Sequence, residues 1–310
     1  MRLILLALLV LAVPCAAEEE LSAKAWLETM SQALKEKEFK SSIIHVQSDH
    51  IRPLVYLHGK VEGEEIAFLE YLNGPPKNAV RIGNVVSFIE HDQPAYSVKA
   101  NHIQGVWPSA FAGNIASLEK GYQFVLGGRS RIAGRPGQLV RIIPIDNDRY
   151  ATQVWIDMST YLPLRYDIFN KEKQLLEQVM VIELIELKEP AHILVEAKKQ
   201  PWPAVVEQAE RTDGHSWSFS WLPQGFNVAV RDNHRLIGSH EPVEYLALTD
   251  GLANISVYVS KQGAQPLPEE LMTRNGLSMV VEKLAEHEVV AVGKVPHETL
   301  KRIAKGLVLQ

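Results

Sequence analysis

The chain has 310 residues, enough for one large domain or two domains of ordinary size. Its hydrophobic content of 46% and charged content of 22% are those of an ordinary globular protein. A net charge of −5, without any long run of Lys or Arg, excludes a typical nucleic-acid-binding protein.

Residues 1–17 have the pattern of a secretory signal peptide. Arg2 precedes an apolar run from Leu3 to Val13, and Cys15-Ala16-Ala17 supplies the small residues of a cleavage site. The run is shorter than the roughly 20 apolar residues that span a bilayer, although an uncleaved anchor is the alternative interpretation. Cleavage after Ala17 removes the single cysteine, so we expect no disulfide and no thiol nucleophile in the mature protein.

The first predicted element of the mature chain is a helix from Ser22 to Lys37. Ser22 is a suitable N-cap. Trp26, Met30 and Leu34 recur at helical spacing, with Glu and Lys on the other side. We expect this helix to pack its apolar stripe against a sheet.

Residues 41–187 have the pattern of many short strands separated by Gly, Pro and Asn turns. Val154 and Ile156 alternate with Trp155, which indicates a sheet with two different faces. Gly83-Asn84 is a two-residue hairpin signal. Strands at such regular spacing favour an antiparallel barrel or a strongly curved sheet.

A long apolar connection from Asn101 to Tyr122 interrupts the strands. It contains Trp107-Pro108 and Phe111 but has little periodicity. A connection of this length inside a compact domain is often a lid or a binding element. A short core helix that fills the barrel explains the same residues, and the sequence leaves both interpretations open.

The predicted linker contains Pro201-Trp202-Pro203, which favours extended structure. Within the linker, Ile193 to Glu196 could be a brief strand and Ala204 to Glu210 a helical turn. The strand pattern then restarts, and Asp250-Gly251 is the strongest hairpin signal of the chain. A final helix is predicted from His297 to Gly306.

These patterns together predict an α+β protein of mostly antiparallel β structure. The first domain would be a half-open β-barrel around helices, and the second a smaller antiparallel sheet with a helix. The predicted boundaries are 18–190 for the first domain, 191–215 for the linker and 216–310 for the second domain.

No catalytic motif is complete in the sequence. Gly214-His215-Ser216-Trp217-Ser218 is similar to a nucleophile elbow but lacks its second glycine. His297-Glu298 lacks the second His of a zinc-binding helix, and the eleven His residues show no paired ligand spacing. We therefore expect no enzyme, no metal site and no cofactor, and we keep a hydrolase only as a distant alternative.

A curved sheet wrapped around a helix can enclose an apolar cavity for an acyl chain. The aromatic residues predicted to line this cavity are Phe88, Trp107, Phe111, Phe124 and Trp155, although they could equally fill the core. Arginines that could contact an anionic group, or could lie solvated on the outer face, are Arg129, Arg131 and Arg135.

Motifs in both halves of the chain resemble those of sigma-E factor regulatory proteins of the RseB/MucB family. In chain order they are Leu72–Arg81, Gly128–Arg135, Arg149–Arg165, Leu176–Gln178, Leu222–Phe226, Thr249–Val257 and Val292–Pro296. The departures from the family pattern are small, with Asn73 for the usual Asp, Lys77 for Arg and Thr249 for Ser. The resemblance covers nearly the whole mature chain.

The resemblance implies a periplasmic protein whose larger N-terminal domain is similar to the lipoprotein carriers LolA and LolB. It implies binding to the periplasmic domain of a membrane-spanning anti-sigma-E factor of the RseA/MucA type, which is thereby shielded from the site-one protease. It also implies release by lipopolysaccharide or by the acyl chains of mislocalised lipoprotein. A homo-oligomer is a further expectation.

Motif position alone places the candidate partner contacts in the C-terminal domain. They are Trp217, Leu222, Phe226, Asp250, Gly251 and Pro296. If lipid and anti-sigma factor prefer different domain arrangements, each lowers the affinity of the other by the same factor. The segment Pro201–Pro203 would then be the hinge. The alternative function is a periplasmic lipid or lipoprotein carrier.

Overall fold

The computed structural model describes residues 20–47, 50–205, 217–234, 243–261, 270–274 and 276–309. The predicted signal peptide lies outside the described residues. So do most of the predicted helical turn at 204–210 and the elbow-like residues 214–216.

The first half of the chain forms one helix and an eleven-stranded antiparallel sheet. The helix α1 is Ala23–Glu36. The strands are β1 Phe39–Gln47, β2 His50–Val61, β3 Glu64–Tyr71, β4 Lys77–Ile82, β5 Val85–Glu90, β6 Gln93–Lys99, β7 Tyr122–Ile132, β8 Arg135–Pro144, β9 Ala151–Asp157, β10 Pro163–Phe169 and β11 Leu175–Glu186.

The sheet is open. Its strand order is β6-β5-β4-β3-β2-β1-β11-β10-β9-β8-β7, so β6 and β7 are its edges. The first and last strands of the domain, β1 and β11, pair in its middle. The hairpin expected at Gly83-Asn84 joins β4 to β5. The half-open barrel is confirmed.

Helix α1 packs against the sheet, as its periodicity predicts. The Ser22 side chain accepts a hydrogen bond from the Ala25 N–H at 3.1 Å, which satisfies one free donor of the first turn. Trp26, Leu27 and Met30 are buried in the main core with the apolar residues of the sheet.

The connection between β6 and β7 fills the core with two short 3₁₀ turns, Ser109–Ala112 and Ile115–Lys120. Phe111 is fully buried, and Leu118 is 1% exposed. Of the two interpretations of this segment, the core-filling one is therefore confirmed for residues 109–120.

The predicted linker begins with a helix, α2, which spans His192–Lys199. Leu194 and Ala197 pack on Leu57 and Phe68 in a small apolar cluster separate from the main core. The strand expected at Ile193–Glu196 is wrong, because helical spacing is what turns Leu194 and Ala197 towards the same apolar surface.

The segment after α2 also contacts the first sheet. The Trp202 indole donates a hydrogen bond of 2.8 Å to the Ala197 carbonyl, and Val205 forms a parallel bridge with Ser97 of the edge strand β6. The domain boundaries themselves stay a prediction.

The C-terminal part of the described chain forms a six-stranded antiparallel sheet, a two-stranded sheet and one helix. The strands and helix are β12 Trp217–Phe219, β13 Asn227–His234, β14 Val243–Thr249, β15 Asn254–Lys261, β16 Glu270–Arg274, β17 Leu277–Leu284, β18 His287–Gly293, α3 His297–Lys305 and β19 Leu307–Leu309. The order of the larger sheet is β13-β14-β15-β18-β17-β16.

Helix α3 covers this second sheet. Leu300 and Ile303, both fully buried, share one core with Val257 and Val289. The predicted hairpin at Asp250-Gly251 joins β14 to β15. A mostly antiparallel α+β fold with a large open sheet and a smaller second sheet is therefore confirmed.

Candidate functional site between the two sheets

A cavity of about 350 Å³ lies between the large sheet and the C-terminal sheet. Its volume is at the lower end of the range of small-molecule pockets, roughly 300–1,000 Å³. The first half of the chain contributes the connection His102–Ser109 and side chains of β7, β9, β10 and β11, among them Tyr122, Thr152, Tyr166, Ile168, Glu177 and Val179. The C-terminal part contributes Leu252, Ala253, Asn254, Ser256, Leu277, Val292, Gly293 and Lys294.

A buried ion pair joins the two parts of the chain beside the cavity. Arg149 Nη1 and the Tyr122 hydroxyl each donate a hydrogen bond of 2.8 Å to Asp250 Oδ2. The Arg149 and Asp250 side chains are 1% and 2% exposed. Arg149 also donates to the Gln224 carbonyl at 2.7 Å, and its guanidinium lies 5.1 Å from the centre of the Phe226 ring.

The β14–β15 turn is shaped to reach this ion pair. Asp250 Oδ1 accepts hydrogen bonds from the Leu252 and Ala253 N–H groups, at 2.9 and 2.8 Å, which closes the turn. Gly251 has a φ of +96°, and a Cβ there would lie 3.0 Å from the Ala110 Cβ. Its carbonyl accepts a hydrogen bond of 3.0 Å from the Ala110 N–H. A glycine is therefore required both by the backbone conformation and by the close approach.

A second ion pair joins the two parts at another side of the cavity. Glu177 of β11 contacts Lys294, which follows β18, and its carboxylate hydrogen-bonds His45 Nε2 at 2.5 Å. Burial alone would raise the pKa of Glu177, but the hydrogen bond to His45 and the ammonium of Lys294 outweigh it and lower the pKa to about 2. Glu177 is therefore ionised at neutral pH.

Three polar atoms of residues that line the cavity are themselves almost inaccessible to solvent, and two of them, on Thr152 and Tyr166, interact with each other. They are Trp107 Nε1, Thr152 Oγ1 and the Tyr166 hydroxyl oxygen. The three residues are 9%, 6% and 3% exposed. Burial raises the pKa of Tyr166 far above its ordinary value, so its hydroxyl stays protonated and can donate.

The aromatic residues predicted to line an acyl-chain cavity are separated in the structure. Trp107 lines the cavity between the sheets. Phe111 is fully buried and meets the Tyr166 ring edge-on, with centroids 5.5 Å apart. Phe88, Phe124 and Trp155 are half-buried, pack against the main core and do not line the cavity.

The arginines predicted to contact an anionic group lie outside the cavity lining. Arg129 pairs with Glu20 at 2.7 Å, and Arg135 pairs with the fully buried Asp157 at 2.9 Å. Arg131 is exposed. Their predicted role stays a prediction.

The residues predicted to contact a partner occupy different environments. Trp217 and Phe226 are buried in the C-terminal core, at 3% and 8% exposure. Asp250 and Gly251 contact the first half of the chain, as described above. The two that remain, Leu222 and Pro296, are half-buried.

Sequence reasoning did not find the roles of Arg149, Glu177 and Lys294. Each belongs to a motif of the sequence, but the ion pairs join residues that are more than a hundred positions apart. Arg149 also has a partner close in sequence, Asp146, whose carboxylate lies 2.9 Å from its guanidinium.

Two features are absent from the part of the chain that the structure describes. None of the described helices is long and apolar enough to cross a membrane. The described side chains include no cluster of three or more His, Cys, Asp or Glu that could hold a metal ion.

Two family models match the chain in sequence order. The model of the MucB/RseB N-terminal domain matches residues 22–206, and the model of the MucB/RseB C-terminal domain matches residues 211–308.

Curated relatives align with nearly the full length of the chain. The sigma-E factor regulatory protein RseB of Salmonella typhimurium is 30% identical, with 91% of this chain and 89% of that protein covered. The sigma factor AlgU regulatory protein MucB of Pseudomonas aeruginosa is 26% identical, with 96% and 93% covered.

Solved structures show the same fold. The MucB of the Pseudomonas aeruginosa MucA/MucB complex matches with a TM-score of 0.73 at 23% identity, over 92% of this chain and 98% of that one. The MucB in a complex with MucA(peri) matches with a TM-score of 0.70 at 24% identity, over 93% and 98%.

Proposed function

The chain belongs to the MucB/RseB family, and on this premise we propose that it is a negative regulator of the envelope-stress sigma-E response. It binds the periplasmic domain of a membrane-anchored anti-sigma factor and shields that domain from the site-one protease. Lipopolysaccharide or the acyl chains of lipoprotein release it. It acts in the periplasm, to which the predicted signal peptide directs it.

The observation that carries this proposal is the match of both family models, in order, along one chain. Relatives that align with about nine-tenths of the chain are named as sigma-E factor regulatory proteins. A relative of the same fold has been solved together with MucA, its own partner. The family is one of regulatory binding proteins.

The contacts between the two sheets support a mechanism in which ligands act by changing how the two domains are arranged. Two ion pairs, Arg149–Asp250 and Glu177–Lys294, hold the parts together around one cavity. A ligand that prefers one arrangement shifts the equilibrium only by its differential affinity for the two arrangements. Anti-sigma factor and lipid then weaken each other's binding by the same factor.

The environments of the predicted partner contacts separate them into three groups. Leu222 and Pro296 keep part of their surface accessible and contact the partner directly. Trp217 and Phe226 act indirectly, by keeping the C-terminal core packed. Asp250 and Gly251 act through the domain arrangement.

The test is a calorimetric titration of the chain 18–310 with the periplasmic segment of the anti-sigma factor from its own organism. A segment of the same composition in scrambled order is the control. We expect binding of the natural segment alone, weaker binding when lipopolysaccharide is present, and protection of the segment from the site-one protease.

The rival function, a lipid or lipoprotein carrier, predicts a different result in the same experiment. A carrier would bind acyl chains and ignore the anti-sigma segment, with or without lipopolysaccharide. That outcome would replace the regulator with the carrier.

A further inference from the structure

The large sheet has one edge strand whose outer backbone groups are uncovered. Strand β7 pairs with β8, and no other described element hydrogen-bonds to its backbone. The side chain of Gln138, which donates to the Gly127 carbonyl, itself belongs to β8. Val125 is 38% exposed, and the run Gly128–Arg131 is exposed throughout. The outward N–H and C=O groups of such an edge are a template on which a further strand can pair.

The opposite edge strand, β6, is already protected. Val205 forms a parallel bridge with Ser97 in the middle of β6. Pro94, near the start of the strand, has no N–H to donate. Proline and a covering segment are both devices that prevent pairing with another chain. The two edges of the sheet therefore differ, and β7 is the one that can accept a strand.

The β7–β8 hairpin is strongly basic although the chain as a whole is acidic. Between Tyr122 and Pro144 there are four arginines and no Asp or Glu, whereas the net charge of the chain is −5. Arg129 and Arg131 lie two positions apart on β7, so their side chains share one face of the strand. Arg131 is exposed and has no ion-pair partner among the described residues. A strand that pairs with β7 must match this positive charge.

A carboxylate already lies beside this edge. Arg129 Nη2 is 2.7 Å from Glu20 Oε1, and the two side chains are 52% and 63% exposed. Exposed ion pairs of this kind contribute little stability, so an incoming carboxylate can replace Glu20 at small cost. The contact shows that Arg129 can hold an acidic group next to the strand.

We propose that β7 binds an extended acidic segment of another protein as an additional strand of the large sheet. Backbone hydrogen bonds to the free edge supply the affinity, and acidic side chains at alternate positions contact Arg129 and Arg131. A second copy of this edge is disfavoured, because like charges on paired strands repel each other. The partner is therefore a different chain of opposite charge.

This edge is separate from the contacts assigned to the anti-sigma factor. Tyr122, the first residue of β7, lines the cavity between the sheets, but the remainder of the strand does not. The candidate anti-sigma contacts belong to the C-terminal part of the chain, whereas Arg129 and Arg131 belong to the first sheet. The inference therefore goes beyond the proposed function and can fail without it.

The direct test uses three labelled peptides of about eight residues, within the usual length of a strand. The first alternates Glu with Val, the second Lys with Val and the third Ser with Val. Fluorescence anisotropy measures their binding to the chain 18–310. We expect binding of the Glu peptide alone, weakened by salt because its charged contacts are exposed. Equal binding of all three peptides, or no binding of the Glu peptide, would overturn the inference.

The Arg131→Glu variant tests the location. Its side chain is exposed and unpaired, so the fold should remain intact. The affinity for the Glu peptide should fall at least about tenfold, because a charge-assisted hydrogen bond is replaced by repulsion. Arg141→Glu is the control of equal charge, since Arg141 is exposed on β8, one strand in from the edge, and it should change the affinity far less. An equal loss in both variants would indicate general charge attraction and overturn the inference.

Methylation of the peptide backbone tests strand pairing itself. In an added strand, the N–H groups of alternate residues point towards the neighbouring strand and the others point to solvent. One Glu–Val peptide is N-methylated at every Glu and another at every Val. We expect one of them to bind like the unmethylated peptide and the other not to bind. Equal affinity of the two methylated peptides would rule out an added strand.

Three further measurements identify the occupant of the edge. The Glu peptide should bind the chain 21–310, which lacks Glu20, at least as tightly as the chain 18–310. Binding confined to the shorter chain would assign the edge to the protein's own N-terminus. Sedimentation should show no self-association that R131E abolishes, since such an effect would assign the edge to a second copy. Saturating Glu peptide should leave binding of the anti-sigma segment unchanged, and competition would merge the edge with that partner's site. Each of these contrary outcomes would overturn the inference, whereas the anti-sigma segment binding without any peptide binding would leave the regulator standing.

Discussion

Arg149 and Asp250 lie 101 positions apart in sequence and form a hydrogen-bonded ion pair of 2.8 Å that joins the two sheets. Both side chains are almost fully buried. Each member of the pair makes a further hydrogen bond. Asp250 also accepts one from the Tyr122 hydroxyl, and Arg149 also donates one to the Gln224 carbonyl. Removing Arg149 would leave the Asp250 carboxylate buried without a cation, and removing Asp250 would leave Arg149 with only Asp146 as its anionic partner.

Asp250→Asn removes this charge and keeps an oxygen that can still accept from the turn N–H groups. We expect the free energy of unfolding to fall by roughly 2 kcal/mol, because Arg149 loses its buried carboxylate partner and keeps only the partly exposed Asp146. Denaturation in urea measures the loss. Glu20→Gln is the control, since its pair with Arg129 is exposed and should be worth less than about 1 kcal/mol. Equal losses in both variants would contradict the prediction.

Gly251→Ala tests the close approach of the β14–β15 turn to Ala110. Gly74→Ala is its control, because Gly74 has a similar φ of +87° with nothing within 4 Å of an added Cβ. In both variants an alanine must adopt the left-handed backbone conformation, which costs roughly 1–2 kcal/mol of unfolding free energy. Only G251A must also move Ala110, so its unfolding free energy should fall by at least about 1 kcal/mol more. A loss in G251A no larger than in G74A would show that the turn can move freely.

Acid should weaken the contacts that the Glu177 carboxylate makes with His45 and Lys294. Its pKa in the folded protein, about 2, is below the ordinary value of 4.5. The stability that Glu177 contributes is therefore fully present above about pH 4.5 and is lost as the pH falls towards 2. Between pH 5 and 8, Glu177 itself should add no slope to the stability.

The Glu177→Gln variant checks this prediction in urea unfolding between pH 2 and pH 7. Its stability should depend less steeply on acid than that of the natural chain. Some dependence of stability on acid remains in the variant, because Glu65 also has a pKa of about 2. Burial would raise the pKa of Glu65, but hydrogen bonds from His58 and Arg81 outweigh that effect. Identical slopes in both chains would show that the contacts of the Glu177 carboxylate with His45 and Lys294 do not stabilise the fold.

Helix α2 should behave as part of the first domain although it lies in the predicted linker. Leu194→Ala removes a fully buried side chain and should cost roughly 2–5 kcal/mol of unfolding free energy. Ile193→Ala, at the 41% exposed neighbouring position, is the control and should cost little. A fragment ending at residue 190 should likewise unfold more easily than one ending at residue 205. Equal stability of the two fragments would assign α2 to the linker.

Local patterns predicted the elements of this fold well. The alternation around Val154 and Ile156, the N-cap at Ser22 and the turn at Asp250-Gly251 each depend on neighbours in sequence, and each is confirmed. Helix α2 was missed because its apolar stripe is only two residues, Leu194 and Ala197, between proline-containing segments.

The site was harder to predict because it depends on distant contacts. Nothing near Arg149 or Lys294 in the sequence indicates a carboxylate more than a hundred positions away. Aromatic residues were predicted as cavity lining by type alone, and only Trp107 lies there. Phe111 instead fills the core. A large apolar side chain is favourably buried both in a cavity wall and in a packed core, so residue type alone does not distinguish the two.

The pairing of β1 with β11 has a consequence for how the protein reaches its native state. Phe39 pairs with Glu186 in the middle of the sheet, so strands β1–β6 and β7–β11 form two series of sequential hairpins that meet along one seam. Within each series, neighbouring strands are joined by short loops and can pair early. Pairing β1 with β11 must instead close a loop of nearly the whole domain, which costs more conformational entropy. Contacts of such long range slow folding. We expect the seam to form last, after the hairpins of both series have formed.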